Sequence, residues 1–549
     1  MEVMLTGHAG LWITTGETTV LCDPWFNAAY FGSWFPFPDN STVDLDVIRR
    51  PTYLYLSHLH KDHFDAAFLA GHVDKSTVVL LPEFPLDEMR RALEGLGFSR
   101  FVQTTDGEPV DLDGVRVAIC TATTPADGPL GDSTIAVDDG QAVVLDQNDC
   151  RPPDIDLLGA LGPYDLHLLQ YSGAIWYPMA YRMDPEEADR AGRAKRANQM
   201  ARALRYVREV GAARVVPFAG PPAFLDDELF GLNDLGNDPA NIFVDQVQFI
   251  EYLAERGVAN AHLMIPGSVA RIGPGRFEVR QPVGDDAVAA IFADKKAYLE
   301  AYRERRRPEL DALSAPVAGP IAPVAGAGSG PGGHTDLVGE LAAWWEPLLA
   351  GADRVCAGLG GPILVDMGGA TVVVDPRSRQ VRAWAGERWE HRFAVEEALV
   401  RSLVSRHVED WVNELFLSCR FEADRRGGYN PTVFGFFKCL SPERMAYLEA
   451  SMAPPGRRAA TRRLTDAERA PEGETWRCGD WLVQRRCPHL GGDLARFGEV
   501  AGGVLTCTLH GWRFDLATGR CLTAEGVWLR RAPVPAGGAG GGGSSLWPT

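Results

Sequence analysis

Short apolar runs separated by turn residues dominate the first third of the chain. Residues 18–22, 52–56, 77–81, 115–120 and 142–145 are rich in Val, Leu, Ile, Thr and Tyr and lie between clusters of Gly, Pro, Asp and Asn, so each predicts a strand. The period changes at residues 185–210, where the pattern is helical and Asp184 stands as N-cap. Strands followed by helices predict an α/β unit over residues 1–313. Residues 316–333 (PVAGPIAPVAGAGSGPGG) hold no charge and cannot bury a core, which predicts a linker, set at 314–334. Helical runs at 337–349 and 394–416 and a strand-like run at 362–374 predict an α+β middle unit over 335–455, with no chemical motif in it. Over 456–535 the chain turns short-stranded and Gly-rich, predicting a small all-β module, and GGAGGGGSS within 536–549 predicts a flexible tail. No internal repeat is visible.

A length of 549 residues accommodates about three to five domains. The 46% hydrophobic and 23% charged fractions are those of a soluble globular protein and exclude collagen-like or disordered classes. Charge narrows the partners further. Lys plus Arg, 54, minus Asp plus Glu, 73, leaves −19, which repels phosphate backbones. Nucleic acid is therefore not an expected partner, and an anionic substrate would need a local basic pocket. Residues 456–535 hold 13 Arg, no Lys and 9 acidic residues, net +4; the tail is uncharged, so the body to residue 455 carries −23. No signal peptide and no run of about 18 apolar residues is present, so the expectation is a cytoplasmic protein without a membrane span. Ten cysteines at uneven spacings read as buried thiols or metal ligands, not as a disulfide framework.

Two of them stand in Cys487-x-His489 and, 17 residues later, Cys507-x-x-His510. Soft thiolates combined with imidazoles are metal-ligand chemistry. A zinc finger would pair its cysteines before its histidines, and a zinc knuckle or a satisfied core cluster is the bland alternative. One Cys and one His on each loop suits a two-iron cluster, with both thiolates on one iron and both imidazoles on the other. CPHLGGDL and CTLHGWRFDLATG resemble the two cluster-binding loops of oxygenase-type Rieske [2Fe-2S] domains. The resemblance implies Cys487, His489, Cys507 and His510 as ligands, with Trp512, Phe514, Asp515 and Gly519 closing the second loop. Cys478 and Cys521 fall outside it and read as buried thiols. A cluster of this kind carries one electron and does not itself activate a substrate, so a second site is expected.

Residues 57–65, SHLHKDHFD, place His58, His60, Asp62 and His63 just after a predicted strand. On an extended backbone alternate residues project to one side, so His58 and His60 can converge on one ion while Asp62 and His63 turn toward an adjacent position. A solvated polar loop is the alternative. The run H-x-H-x-D-H after a strand resembles the metallo-β-lactamase fold, which implies an αββα sandwich for the first unit; residues 7–10 (GHAG) and 22–25 (CDPW) are similar to its UlaG-like branch. Residues 142–150, AVVLDQNDC, resemble the later strand of that fold that ends in a bridging aspartate. This implies Asp149, with Asp146 as the fallback and a simple turn cap as the alternative for either. Hydrolases of the fold supply another histidine between these motifs. Here the only histidine from residue 64 to 149 is His72, too near the first motif, and the loop at 123–132 offers Asp127 instead. That argues against a two-zinc hydrolase. Two histidines and a carboxylate with open positions are the pattern of a non-haem Fe(II) oxygenase.

Residues 132–152, 172–181, 214–220 and 233–239 resemble, in order, segments of CMP-N-acetylneuraminate hydroxylase. In the animal sialic-acid enzymes the Rieske module comes first. The order found here is similar to that of the actinobacterial UDP-N-acetylmuramate hydroxylase family. The resemblance implies a Rieske-dependent monooxygenase with O2 as cosubstrate, an external ferredoxin or ferredoxin reductase-type donor, and conversion of an N-acetyl to an N-glycolyl group on a nucleotide sugar. No flavin or nicotinamide fingerprint is present, so electrons must come from another protein. Arg190, Arg193, Lys195, Arg196, Arg202, Arg205 and Arg208 on the predicted helix could meet an anionic substrate, although they circle the helix as a solvated face would. Trp176, Tyr177 and Tyr181 could cover a sugar or fill a core, and Pro217, Phe218 and Gly220 could shape a turn near the metal. Three alternatives remain open: tailoring of another small metabolite, a hydrolase with a redox-sensing Rieske module, and an electron carrier with a degenerate first unit.

Overall fold

The computed structural model describes residues 1–123, 131–314, 336–452, 475–489, 491–524 and 526–534. The expected linker core at 316–333, the tail at 536–549 and Asp127 lie outside the described residues.

The first unit contains β1 (Glu2–Gly7), β2 (Gly10–Thr15), β3 (Thr18–Cys22), β4 (Tyr53–Tyr55), β5 (Val78–Leu81), β6 (Phe101–Gln103), β7 (Val110–Leu112), β8 (Val115–Ala122), β9 (Asp132–Asp138), β10 (Val143–Asn148), β11 (Leu166–Gln170), β12 (Val215–Phe218), β13 (Val269–Gly273) and β14 (Arg276–Arg280). One sheet runs β14-β13-β1-β2-β3-β4-β5-β6, the other β12-β11-β10-β9-β8-β7. β3 to β6 are parallel neighbours, as are β10 to β12. Strands buried on both faces read as continuous apolar runs. β11 shows why: Leu166 and Leu168 fill the space between the sheets with Val3, Leu5 and Val144, while Leu169 and Tyr171 face the other way.

Helices cover both outer faces. α1 (Ala66–Gly71) places Phe68 and Leu69 on Leu54 of the first sheet. α2 (Pro185–Val210) places Met200, Leu204 and Val207 on Leu145 and Leu169 of the second. Its start follows local chemistry: Pro185 sits at the first turn and the Asp184 carboxylate accepts from the Glu186 N–H at 2.9 Å. Each leucine so buried contributes on the order of 2 kcal/mol, so packing rather than propensity holds the helix. The result is the αββα sandwich of the metallo-β-lactamase fold.

The middle unit has β15 (Ile363–Asp366), β16 (Thr371–Asp375), β17 (Gln380–Ala383), β18 (His391–Val395) and β19 (Phe421–Arg425) in the order β17-β16-β15-β18-β19. The helix expected over 394–416 is instead the end of β18, a helix at Glu397–Ser405 and a π-helical turn at Val412–Phe416. Two features break it. His407 takes a left-handed φ of 50°, and the Asp410 carboxylate restarts the chain by accepting from the Asn413 N–H at 2.9 Å. The aromatic core around Trp345, Trp411 and Phe416 continues into Trp25, Trp34 and Trp176 of the first unit.

The last unit has β20 (Thr475–Cys478), β21 (Trp481–Gln484), β22 (Gly498–Ala501), β23 (Val504–Cys507), β24 (Trp512–Asp515) and β25 (Arg531–Pro533) in two antiparallel sheets, β20-β21-β25 and β22-β23-β24. Its core, with Cys487, Leu509 and Trp512, is continuous with the cluster that α2 buries, and Phe497 meets Tyr206 of α2 at 5.5 Å. Among the described residues no helix is long and apolar enough to cross a membrane.

Candidate metal centre

β4 delivers residues 57–65 to one end of the first sheet. Ligand atoms of His58, His60 and Asp149 lie within 4.8 Å of one another there, and those of His8, Asp62 and His63 form a second such group. The groups adjoin: His63 Nε2 is 3.6 Å from Asp149 Oδ1 and 3.8 Å from Asp62 Oδ2. His8 enters from the turn between β1 and β2. Gly7 before it has φ +132°, and a Cβ there would lie 2.6 Å from Asn40 Nδ2, so the close approach needs glycine. His8 itself is left-handed (φ 50°), as are Asp23, Tyr30 and Asn148 around the same site (39°, 54° and 44°). Such backbone costs of order 1–3 kcal/mol per residue and gathers at functional sites. The Ala219 N–H, at the end of β12, helps hold His8 by donating to its carbonyl at 3.0 Å.

Asp23 orders the loop from behind. Its carboxylate accepts from Ser57 N at 2.7 Å and Ser57 Oγ at 2.6 Å, and lies 2.8 Å from His63 Nδ1. His63 Nε2 is thereby left for the site, in the carboxylate–imidazole–metal arrangement. Buried His63 Nε2, His8 Nδ1 and Asp149 Oδ1 make no hydrogen bond, while His8 Nε2 stands 3.1 Å from Asp62 Oδ2. Each such atom costs about 1–3 kcal/mol, which a cation between them would relieve. The imidazole and carboxylate donors suit iron or zinc. Burial pushes the Asp62 carboxyl up, yet His63 and His8 outweigh it and hold it well below its ordinary value. Burial pushes His63 down, and Asp149, Asp62 and Asp23 more than reverse this. The Tyr30 hydroxyl donates to Asp62 Oδ1.

In the last unit Cys487 and Cys507 are buried, and a side-chain hydrogen bond with Cys487 holds the Cys507 thiol below its ordinary value. The two loops turn alike: Gly491 N donates to the Cys487 carbonyl at 2.9 Å and Gly511 N to the Cys507 carbonyl at 2.8 Å. The His489 ring stacks on Trp512 at 3.9 Å and meets His510 edge-on at 5.0 Å. At Gly492 a Cβ would stand 2.5 Å from Leu509 Cδ1 and 3.7 Å from Cys507 Sγ. Two sulfurs and two imidazoles held this closely fit the donor set of a two-iron cluster.

One cavity of about 170 Å³ joins the two places: His58, His60, Asp62 and Asp149 line it, and so does His510. Val412, Leu417 and Lys438 of the middle unit complete its wall. That unit is also tied to the metal loop, because Asn413 Nδ2 donates to the Leu59 carbonyl at 2.9 Å and Lys61 pairs with Glu414. The π-helical turn that carries these residues is a form frequently found at functional sites.

Residues 474–528 match the Rieske [2Fe-2S] domain, and residues 337–454 match the Rv3818-like, SCP2-like domain. The chain is 45% identical over 541 residues to the Rieske 2Fe-2S iron-sulfur protein Rv3818 of Mycobacterium tuberculosis (strain ATCC 25618 / H37Rv), covering 96% of this chain and 99% of that one. It belongs to the Rv3818-like family. Among solved structures, Igni18, a metallo hydrolase from Ignicoccus hospitalis KIN4/I, is 19% identical with a TM-score of 0.34, covering 49% of this chain and 96% of that one. CmlA, a diiron β-hydroxylase from Streptomyces venezuelae, is 18% identical with a TM-score of 0.32, covering 49% and 54%. At these scores neither likeness bears on the reaction.

Several residues of this Rv3818-like chain stand apart from their sequence expectation. The absence of a histidine between the two motifs does not exclude a second metal position, because His8, upstream of both, completes one. The GHAG turn was its only signal. Asp132, at the start of β9, brings Oδ1 to 3.3 Å from His58 Nδ1, and burial raises its carboxyl to about 6. Asp146 belongs to neither group; its Oδ1 accepts from Asn148 N at 3.1 Å. His72 caps α1 and stacks on Phe68 at 5.1 Å. On α2, Arg190, Arg193 and Arg205 pair with Glu186, Asp189 and Glu209 one turn away, Arg196 reaches Asp234 at 3.1 Å, and Arg208 donates to the Arg256 carbonyl at 3.0 Å. These arginines form a paired face. Lys195 and Arg202 instead approach His510. Trp176 lines the cavity, whereas Tyr177 and Tyr181 pack on each other beneath Arg425. Phe218 is core, the Pro217 carbonyl accepts from Gln246 Nε2 at 2.9 Å, and the Gly220 carbonyl accepts from the Tyr171 hydroxyl at 2.8 Å. Cys478 and Cys521 are buried.

Proposed function

We propose that this chain is a Rieske-dependent monooxygenase that hydroxylates the methyl of an N-acetyl group on a nucleotide sugar, with UDP-N-acetylmuramate as the first candidate. The observation that carries the reading is the shared cavity. His510 of the Rieske domain lines the same space as His58, His60, Asp62 and Asp149. A hydrolase has no use for an electron-transfer histidine beside its reacting atoms. Bound at these two places, a Rieske cluster supplies single electrons and iron supplies oxygen activation.

The balance is one methyl C–H converted to C–OH, with one O2, two electrons and two protons consumed and one water released. The electrons come from an external ferredoxin or ferredoxin reductase-type protein. The chain's own residues orient and shield. Asp23 fixes His63, while Ile175, Trp176, Val412 and Leu417 keep water from a methyl in the cavity. Asp132 Oδ1, beside His58 Nδ1, can hold a proton at the cavity wall. A cavity of about 170 Å³ takes the N-acetyl end and leaves the nucleotide to extend through the opening. In this reading residues 1–313 hold the oxygen site, 335–455 wall it and 456–535 deliver electrons, in the cytoplasm where nucleotide sugars are made. The substrate class is supported by the likeness of residues 132–152, 172–181, 214–220 and 233–239 to N-acyl sugar hydroxylases.

The test incubates reduced protein with UDP-N-acetylmuramate and isotopically labelled oxygen. One labelled atom in the product supports the reading; an unlabelled or N-deacetylated product overturns it, and a gain on another N-acyl compound alone moves the substrate. The second metal group completed by His8 favours one competitor, a dinuclear zinc hydrolase. Metal analysis separates the two: iron beyond that of the cluster supports the oxygenase, whereas zinc with oxygen-independent turnover supports the hydrolase.

A further inference from the structure

We propose that Arg151, Lys195 and Arg202 form an anion subsite, fitted to the diphosphate of the substrate, where the metal cavity meets the Rieske loop. For the identity of the anion this depends on the function proposed above; the subsite itself does not.

Arg151 lines the cavity two residues after Asp149. Among the described residues its guanidinium has no hydrogen bond and no ion pair. Lys195, half-buried on α2, also has no ion pair there, and the one hydrogen bond of the Arg202 guanidinium goes to the Leu509 carbonyl at 3.0 Å. Lys195 and Arg202 stand two turns apart on one face of α2, and the three charges lie within electrostatic reach of one another. Burial, then Arg151 and Arg202, push the Lys195 ammonium down to about 7. Burial and Arg151 likewise act against the charge on Arg202. Asp149 is the carboxylate that helps Arg202, yet its Oδ1 faces His58 and His63 at 3.8 and 3.6 Å. Elsewhere on α2 the pattern is the reverse: Arg190, Arg193, Arg196 and Arg205 each have a carboxylate partner.

Like charges gathered at a partly desolvated place without compensation are destabilising on their own. In a body of net −23 acidic partners are plentiful, so their absence here is a property of the site. An anion removes the repulsion. Two guanidinium forks and an ammonium match the oxygens of a diphosphate, which Arg binds bidentately. Arg151 shares the cavity with Trp176 and His60, so a diphosphate held there leaves the sugar end beside the metal groups.

A different role for the same charges would be to favour the reduced, more negative state of the cluster. The holoprotein distinguishes the two by calorimetric titration with inorganic diphosphate and with uridine. Diphosphate should bind, Arg151→Gln and Lys195→Gln should each weaken it about tenfold or more, and uridine should be unaffected. Arg151→Lys, which keeps the charge, should retain most of the affinity, and an intact Rieske electron-resonance signal certifies the fold of each variant. No diphosphate binding to the native protein, or equal affinity in native and Gln variants, overturns the subsite. Equal affinity with a lowered cluster midpoint potential assigns the charges to the cluster instead. Titration involves no turnover. Diphosphate binding through Arg151 without hydroxylated product would therefore sink the function and leave the subsite standing, and a hydroxylase indifferent to Arg151 would do the opposite.

Discussion

Arg202 Nη1 donates to the carbonyl of Leu509 at 3.0 Å, tying a helix of the metallo-β-lactamase-like unit to the residue before His510. Arg202 is only 5% exposed, so this charge acts on the cluster loop through little water. Removing it with Arg202→Leu leaves a buried carbonyl unsatisfied, at a cost of about 1–3 kcal/mol, and withdraws a cation from the cluster. The cluster midpoint potential should fall by on the order of 50 mV, read by redox titration of the Rieske electron-resonance signal. An unchanged potential would show that Arg202 matters for docking alone.

Gly492 should tolerate no larger residue. Leu509, against which its Cβ would lie at 2.5 Å, is fully buried, so Gly492→Ala forces the second loop outward and displaces Cys507. Iron and sulfide content per chain should drop, with loss of the Rieske signal. Gly502→Ala is the control for space: Gly502 has a left-handed φ, 58°, which Gly492 does not, and a Cβ there meets nothing within 4 Å. It should keep the cluster and lose about 1–2 kcal/mol of stability from the backbone strain alone. Equal loss in both variants would contradict a steric origin.

Local chemistry made much of this legible. Asp184, Pro185 and Gly211 bound α2 at both ends because capping depends on adjacent residues. The six-residue span from His58 to His63 and the paired loops at Cys487 and Cys507 are equally local. What escaped was set by distant packing. His8 meets Asp62 at 3.1 Å across a 54-residue separation (62 − 8), and only the register of β1, β2 and β3 brings them together. The expected helix over 394–416 gave way because Val395 is claimed by pairing with Phe421 in β19. That the middle unit walls the cavity with Val412 and Lys438 has no motif at all. The arginines of α2 could not be sorted by helical position, because their carboxylate partners decide which remain for an anion.

Acid should weaken the fold through His167. In β11 its Nε2 lies 2.8 Å from Gln147 Oε1, and burial pushes the imidazole down to about 3. In the unfolded chain it titrates near 6.5. Between those values the unfolded state binds a proton that the folded state refuses, so stability falls as pH drops below about 6.5, by up to about 1.4 kcal/mol per unit. Above 6.5 the group contributes no slope. His167→Gln should therefore lose less Tm than the native protein between about pH 7 and pH 5. Parallel losses would place the acid sensitivity in other groups.

Asp23 belongs to neither ligand group yet lies 2.8 Å from His63 Nδ1 and accepts from Ser57 at 2.6 and 2.7 Å. A carboxylate there keeps the proton on Nδ1 and leaves Nε2 as the donor to a metal. Asp23→Asn preserves shape and removes the charge. Its amide can donate to Nδ1 and so turn Nε2 into an N–H, which binds no cation. Metal affinity at the His8, Asp62 and His63 position should fall about 10–100-fold in chelator competition, while the His58, His60 and Asp149 position and the Rieske signal persist. Loss of both metals together would show that the two groups act as one site bridged through Asp149, whose Oδ1 stands 3.8 Å from His58 Nδ1 and 3.6 Å from His63 Nε2. No loss at either position would mean that Ser57 and the left-handed backbone at Asp23 suffice to aim His63.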